Sequence, residues 1–161
     1  MALAIFDIDD TLIDGHCASL WAEHMANLDW TDRDSFLPRE QALMASYAAG
    51  ESDIDEYLAF SLAPLVGRTP EEVEFIVEPF VEDVIEPLLH SAATRCLATH
   101  RSEGDRVLLI SAVPQFLIGA IAERLAIADS LGIELDVQHG SYSGRSLGTL
   151  SSREGKVQRL R

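Results

Sequence analysis

Residues 3–11, Leu3-Ala4-Ile5-Phe6-Asp7-Ile8-Asp9-Asp10-Thr11, decide how the rest of the chain is read. A short apolar run of β-compatible side chains stops abruptly at three carboxylates and a hydroxyl. Such a run is short for a helix and suits a buried strand covered on both faces. In open α/β sheets ligands bind beyond the carboxyl ends of strands, so Asp7 and Asp9 are predicted to emerge where chemistry is done.

The whole chain sets the scale for that strand. Its 161 residues fit one domain, or a core with a small insertion, and a hydrophobic content of 47% is enough to fill a core. A formal net charge of -15 argues against nucleic acid and anionic membrane surfaces as partners. Cys17 and Cys96 lie far apart, without a CxxC or Cys/His ligand spacing, so free thiols are expected rather than a disulfide framework or a zinc site. Asp7 follows Met1 too closely for the apolar region of a signal peptide, and no later run is long enough to span a bilayer. The expectation is a soluble cytoplasmic protein without membrane attachment.

Beyond the turn signal Asp14-Gly15 the pattern becomes helical, with Cys17, Leu20, Trp21, Met25 and Leu28 on one face of a helix ending near Trp30. A second helix is predicted from about Ser35 to Ala49, with Pro38 in its first turn and Gly50 as its stop. Ser52-Asp53-Ile54-Asp55 resembles a capping box and starts a third. Thr69-Pro70-Glu71-Glu72 starts a fourth, which is expected to kink or break at Pro79. Residues 16–86 thus read as an all-helical cap placed directly after the acidic strand end, a lid, while 1–15 and 87–161 form the α/β core.

Within that core a helix is predicted over 91–102, then a buried strand Arg106–Ser111 that ends, like the first, in a small polar residue. A helix over 115–126 and a weak strand over 133–137 follow, then a glycine-punctuated hairpin or loop through Gly140, Gly144 and Gly148. A last helix begins near Ser152 and carries Lys156. Strand, turn and helix alternate as in parallel α/β folds.

Two carboxylates one residue apart at a strand end can bind a hard cation such as magnesium. They can also divide labour: one stays ionised and attacks phosphorus, while a neighbour with a raised pKa protonates a leaving oxygen. His16, Cys17 and His24 follow a helical face poorly as metal ligands and read as structural or cap-surface residues.

The motif order makes the chemistry specific. Asp7-Ile8-Asp9-Asp10-Thr11 after an apolar strand resembles the DxDxT signature of the haloacid-dehalogenase-like (HAD) phosphatases. Ser111 resembles their second motif and Lys156 their third. The helical insertion is similar to the C1 cap of the phosphoserine phosphatase-like branch. Gly67-Arg68-Thr69-Pro70-Glu71-Glu72 and Gly140-Ser141-Tyr142-Ser143-Gly144-Arg145 resemble the IB-type hydrolases of that branch.

The resemblance implies a Rossmann-like parallel sheet with an inserted cap. It makes Asp7 the nucleophile and a magnesium ligand, and Asp9 the general acid and then base, with its backbone carbonyl on the metal. Ser111 and the N–H of Ala112 bind the transferring phosphoryl group, Lys156 offsets its charge, and Thr11 braces the motif turn. From the cap, Glu23 and Arg68 are candidates to face substrate. Lys156 is the one lysine among 12 basic residues, and a compact ammonium there is not interchangeable with arginine.

One element of the family pattern has no counterpart. An acidic pair beyond the lysine helix supplies the remaining side-chain ligand to magnesium, and nothing after Lys156 is acidic. The expectation is a form truncated before the fourth motif, in which the Asp7 strand becomes a sheet edge and favours homodimerisation. The predicted function is a magnesium-dependent phosphomonoester hydrolase that acts on a small phosphorylated metabolite through an aspartyl-phosphate. The alternative is a catalytically impaired paralogue that binds a phosphate ester or a partner. A phosphoacceptor receiver domain fits poorly, because Asp53 and Asp55 sit at a helix start rather than a strand end.

Overall fold

The computed structural model describes residues 1–148. Lys156 and the final helix expected around it lie outside the described residues. Four strands form one sheet in the order β1 (Leu3–Phe6), β2 (Arg106–Pro114), β3 (Asp129–Gln138) and β4 (Ser141–Leu147). β1 and β2 run parallel, with Phe6 opposite Leu109, and β2 and β3 are also parallel. β3 and β4 form an antiparallel hairpin. Its turn, His139-Gly140, has positive φ at both residues (53° and 81°), the two-residue geometry whose twist matches the flanking strands.

β1 departs from the expectation of burial on both faces. Among the described residues it pairs only with β2, and Leu3 and Ile5 are 52% and 46% exposed. The apolar run is legible as a strand, but coverage depends on neighbours that a local pattern cannot specify.

Five α-helices separate β1 from β2 in sequence, and the first four are α1 (Cys17–Asn27), α2 (Arg33–Ala48), α3 (Ile54–Ser61) and α4 (Pro70–Phe80). Their starts follow the expected capping chemistry with two shifts. α2 begins earlier than predicted, because Asp32 accepts the Ser35 N–H, which places Pro38 inside the helix rather than in its first turn. α3 is capped by Asp53, which accepts the Glu56 N–H, and not by Ser52. Thr69 caps α4 through the Glu72 N–H as read from sequence. α4 passes through Pro79 to Phe80 and only then loosens into a wide turn over Val81–Ile85 and a tight one over Glu86–Leu88.

α5 (Ser91–Ser102) and α6 (Gln115–Arg124) flank β2 in the chain, and α6 packs on β2 and β3. The core is continuous across helices and sheet: Trp21 and Phe80 from the insertion meet Phe116 of α6, with ring centroids 5.2 Å (Trp21–Phe80) and 5.5 Å (Trp21–Phe116) apart. Each such buried side chain contributes roughly 1.5–3 kcal/mol relative to exposure.

The entry and exit of the helical insertion are tied to each other. The Asp14 N–H donates to the Leu88 carbonyl at 2.9 Å and the His90 N–H to the Leu12 carbonyl at 2.8 Å, with Ile13 bridged antiparallel to Leu89. A second tie joins the insertion to the hairpin: the Gly67 N–H donates to the Tyr142 carbonyl at 3.1 Å, and the Tyr142 N–H to the Arg68 carbonyl at 2.9 Å. The two separate segments that carry the family-like patterns therefore meet in space.

Candidate active site

The acidic stretch leaves β1 as a compact loop. The Ile8 carbonyl accepts the N–H groups of Thr11, Leu12 and Ile13 at 3.2, 3.0 and 3.2 Å, and Asp10 takes a left-handed φ of 55°. Ile8, Leu12 and Ile13 are fully buried and anchor the loop, so the acids between them are held on a fixed backbone. Asp7 and Asp9 are half-buried, and Asp7 accepts the Ile8 N–H at 2.8 Å. Thr11 is exposed and contributes its backbone N–H to the turn.

Asp9 is turned toward α1. Its carboxylate accepts the Cys17 N–H at 2.8 Å and so caps α1 from eight positions upstream, while the adjoining His16 makes no side-chain cap bond. Burial is the largest influence on Asp9 and raises its pKa above the usual carboxylate value. The Cys17 N–H and His16 oppose that rise, whereas Asp7 and Asp10 add to it. The net effect favours the protonated acid, as a general acid requires.

His16 belongs to this cluster, although the helical pattern gave no reason to place it there. Its Nδ1 lies 3.9 Å from Asp9 Oδ2 and its Nε2 lies 3.4 Å from Asp10 Oδ2. The left-handed turn at Asp10 and the reversal at Asp14-Gly15 bring position 16 back over position 9. Cys17 is fully buried and His24 lies among Trp21 and Phe80, so both are packing residues as expected.

Ser111 lies beside the end of β1, since Asp7 follows Phe6, the partner of Leu109. It does not end its strand. β2 continues to Pro114, and between Ile110↔Leu131 and Pro114↔Ile133 it takes up two more residues than β3. This bulge contains Ser111, Ala112 and Val113 and lifts them out of the regular ladder. Ser111 is 3% exposed and Ala112 is partly exposed.

Two residues maintain the bulge. The Gln115 side chain accepts the Gly132 N–H at 2.7 Å and donates to Ser130 Oγ at 3.0 Å, so a side-chain amide spans the interrupted ladder. Gly132 leaves room for the bulged chain, since a Cβ there would lie 2.7 Å from the Val113 carbonyl oxygen.

The proposed cap residues have other engagements. Arg68 lies over the Trp30 ring at 3.9 Å, donates from Nε to the Pro64 carbonyl at 3.1 Å, and pairs with Glu72 at 3.0 Å. Glu23 is exposed on α1, 3.9 Å from Arg33. A groove of about 790 Å³ lies away from the acids, between α4, α6 and the hairpin, and neither Asp7, Asp9 nor Ser111 lines it. Glu74, Glu78, Glu82, Glu123 and Glu134 make it a poor place for an anionic ester.

The sequence matches the haloacid dehalogenase-like hydrolase family over residues 4–161. The chain belongs to that family. It is similar to a histidinol-phosphatase of Neisseria meningitidis serogroup C, with 31% identity over 98% of this chain and 72% of the relative. It is also similar to phosphoserine phosphatase SerB1 of Mycobacterium tuberculosis, with 27% identity over 99% of this chain and 53% of that protein. The chain thus spans about three quarters of the first relative and about half of the second. Among solved structures, a Bordetella pertussis protein of unknown function has a TM-score of 0.87 at 31% identity, covering 99% of this chain and 72% of that one. A phospho-aspartyl intermediate analogue of phosphoserine phosphatase has a TM-score of 0.67 at 17% identity, over 99% of this chain and 68% of that one, and shares the fold. Among the described residues no helix is long and apolar enough to cross a membrane.

Proposed function

We propose that this HAD-family chain is a magnesium-dependent phosphatase that hydrolyses a small phosphomonoester through an aspartyl-phosphate on Asp7. The observation that carries the reading is the pair Asp7 and Asp9 at the end of β1: one acid stands beside the bulged strand, and its neighbour is biased by burial toward its protonated form. The names of relatives that are phosphatases for histidinol phosphate and phosphoserine support the class of ester.

In this reading an Asp7 carboxylate oxygen attacks phosphorus, the ester P–O bond breaks, and the Asp9 carboxylic acid gives its proton to the departing alkoxide. Asp9, now a carboxylate, takes a proton from water as that water attacks the phosphoenzyme. Inorganic phosphate leaves and Asp7 is regenerated. Ser111 and the Ala112 N–H hold the phosphoryl oxygens, and the β2 bulge frees this part of the backbone from its ladder for that purpose. Lys156 is assigned the balancing charge on motif order alone.

The donor set of Asp7 carboxylate and Asp9 carbonyl oxygen is the hard-oxygen chemistry that magnesium prefers. Magnesium bound there would supply charge neutralisation for phosphate and nucleophile. Residues 16–86 act as the cap that keeps bulk water from the phosphoenzyme, and the hydrogen-bonded neck at residues 12–14 and 88–90 sets where the cap pivots.

Phosphate release from a panel of phosphomonoesters, with magnesium and then with excess chelator, tests the reading. Turnover should require magnesium and vanish in Asp7→Asn. Undiminished turnover in Asp7→Asn would remove Asp7 as nucleophile, and metal-independent ester binding without turnover would favour a non-catalytic binding protein.

A further inference from the structure

The turn that leaves α5 for β2 gathers three metal-ligating side chains. His100, Glu103 and Asp105 each offer one ligand atom, an imidazole nitrogen or a carboxylate oxygen, and these atoms all lie within 4.8 Å of one another. Among the described residues no other group of three such side chains comes as close. His100 Nδ1 stands 2.9 Å from Asp105 Oδ2. That hydrogen bond holds the Asp105 carboxyl below the usual carboxylate range, so the group is ionised, as a ligand must be. Glu103 is the C-cap residue of α5, and its carboxylate has no ion pair among the described residues.

The surroundings favour a cation. Two carboxylates stand at the C-terminus of α5, the negative pole of the helix, where acids are unfavourable unless a positive charge offsets them. The arginines of this stretch are engaged elsewhere: Arg101 donates to the Leu125 carbonyl, and Arg106 pairs with Asp129 at 2.7 Å. Ligand atoms around a tetrahedral zinc ion, each about 2.1 Å from the metal, stand roughly 3.4 Å apart. The His100–Asp105 contact would therefore open by about 0.5 Å, and Glu103 would swing inward by about 1.4 Å at most. Glu103 is exposed and can do so by side-chain rotation. A nitrogen beside two carboxylates suits zinc or a similar divalent ion better than magnesium, which prefers oxygen ligands alone.

We propose that His100, Glu103 and Asp105 form a structural site for a zinc-type divalent ion, with water in the fourth position, that fastens β1 to the turn between α5 and β2. What the ligands touch gives the site its consequence. Asp105 Oδ1 accepts the Ala2 N–H at 2.8 Å, just before β1, and the Arg106 N–H donates to the Ala2 carbonyl at 2.9 Å. The His100 ring packs edge-on against Phe6, with centroids 5.9 Å apart, and Phe6 immediately precedes Asp7. β1 has a strand neighbour on one side only among the described residues, so it is the least supported strand of the sheet core. A metal that immobilises His100 and Asp105 stiffens β1 at both ends and thereby steadies Asp7. The site shares no ligand with the Asp7 and Asp9 oxygens and does not depend on the phosphatase reading.

Calorimetric titration of the full chain with zinc chloride, in excess magnesium to occupy the oxygen donors at Asp7 and Asp9, tests the proposal. One equivalent of zinc should bind, and Asp7→Asn should leave that equivalent in place. Zinc at about a hundred times its Kd should raise the melting temperature by about 5 °C or more. His100→Ala and the exposed, size-conserving Glu103→Gln should each weaken zinc binding by about tenfold or more, since even outer-shell changes at metal sites cost about 10–100-fold. Cobalt added in place of zinc should give visible ligand-field bands that disappear in His100→Ala. Absence of zinc binding in the presence of magnesium overturns the proposal. So does an equivalent that is lost in Asp7→Asn, or one that persists unweakened in folded Glu103→Gln and His100→Ala. Should His100→Ala not fold, Glu103→Gln decides.

Discussion

Gly132→Ala is expected to damage the site from behind the β2 bulge. An added Cβ would lie 2.6 Å from Ile118 Cγ2, 2.7 Å from the Val113 carbonyl oxygen and 3.0 Å from Gln115 Cα. Comfortable non-bonded separations begin near ~3.5 Å, so each neighbour must give by roughly half an ångström or more. Ile118 is fully buried and has little space to turn, and the other two contacts are backbone. Overpacking of this kind costs about 1–3 kcal/mol. Stretching the 2.7 Å bond from the Gly132 N–H to Gln115 adds a further loss of about 1 kcal/mol. The total of about 2–4 kcal/mol corresponds to a melting temperature lower by roughly 4–16 °C for a chain of this size. Displacing Val113 also shifts Ala112, and misplacing a phosphate-binding N–H by a fraction of an ångström is expected to lower kcat by about tenfold or more. Thermal unfolding followed by circular dichroism, with phosphate release on the same samples, measures both. An alanine variant that melts within about 1 °C of wild type and keeps its kcat would refute the view that Gly132 supports the bulge.

Asp9→Asn should abolish turnover yet melt at an equal or higher temperature than wild type at neutral pH. Burial raises the folded-state pKa of Asp9 above its ordinary value of 3.8, so the folded chain holds that proton more tightly than the unfolded one. Ionising Asp9 therefore subtracts stability as pH rises from the unfolded value through the folded one. Asparagine escapes that penalty and can still accept the Cys17 N–H. The advantage should shrink as pH falls toward the ordinary carboxylate value, and a variant whose advantage grew on acidification would contradict this sign. Tyr57→Phe removes the 2.9 Å donor to buried Glu40 and should cost about 1–3 kcal/mol in urea unfolding, with a negligible change counting against a stabilising role for that bond. Thr69→Ala takes the cap from α4 and should lower stability by about 1 kcal/mol, read as a shift in the urea midpoint at constant slope.

The acidic strand end and the order of helices and strands were legible because their signals are local. Thr69 followed by Pro70 and two glutamates starts a helix wherever it occurs, and α5 closes with Gly104 at a φ of 74° as its pattern requires. The seam residues were not legible in the same way. Ser111 looked like the end of a strand because a bulge has no period, and only the register against β3 and the side chain of Gln115 reveal it. His16 joined the acids through a loop reversal rather than a helical face. Glu40 did leave a trace, a carboxylate on the stripe formed by Phe36 and Leu43. The sequence by itself determined which carboxylates stand at the end of β1 and which segments surround them, since residue type and short-range spacing carry that information. Tertiary structure decided that burial raises the pKa of Asp9 and that Glu40 is buried against the hydroxyls of Tyr57 and Ser19. Those properties come from packing of α1, α2 and α3 on one another, which no local sequence pattern specifies.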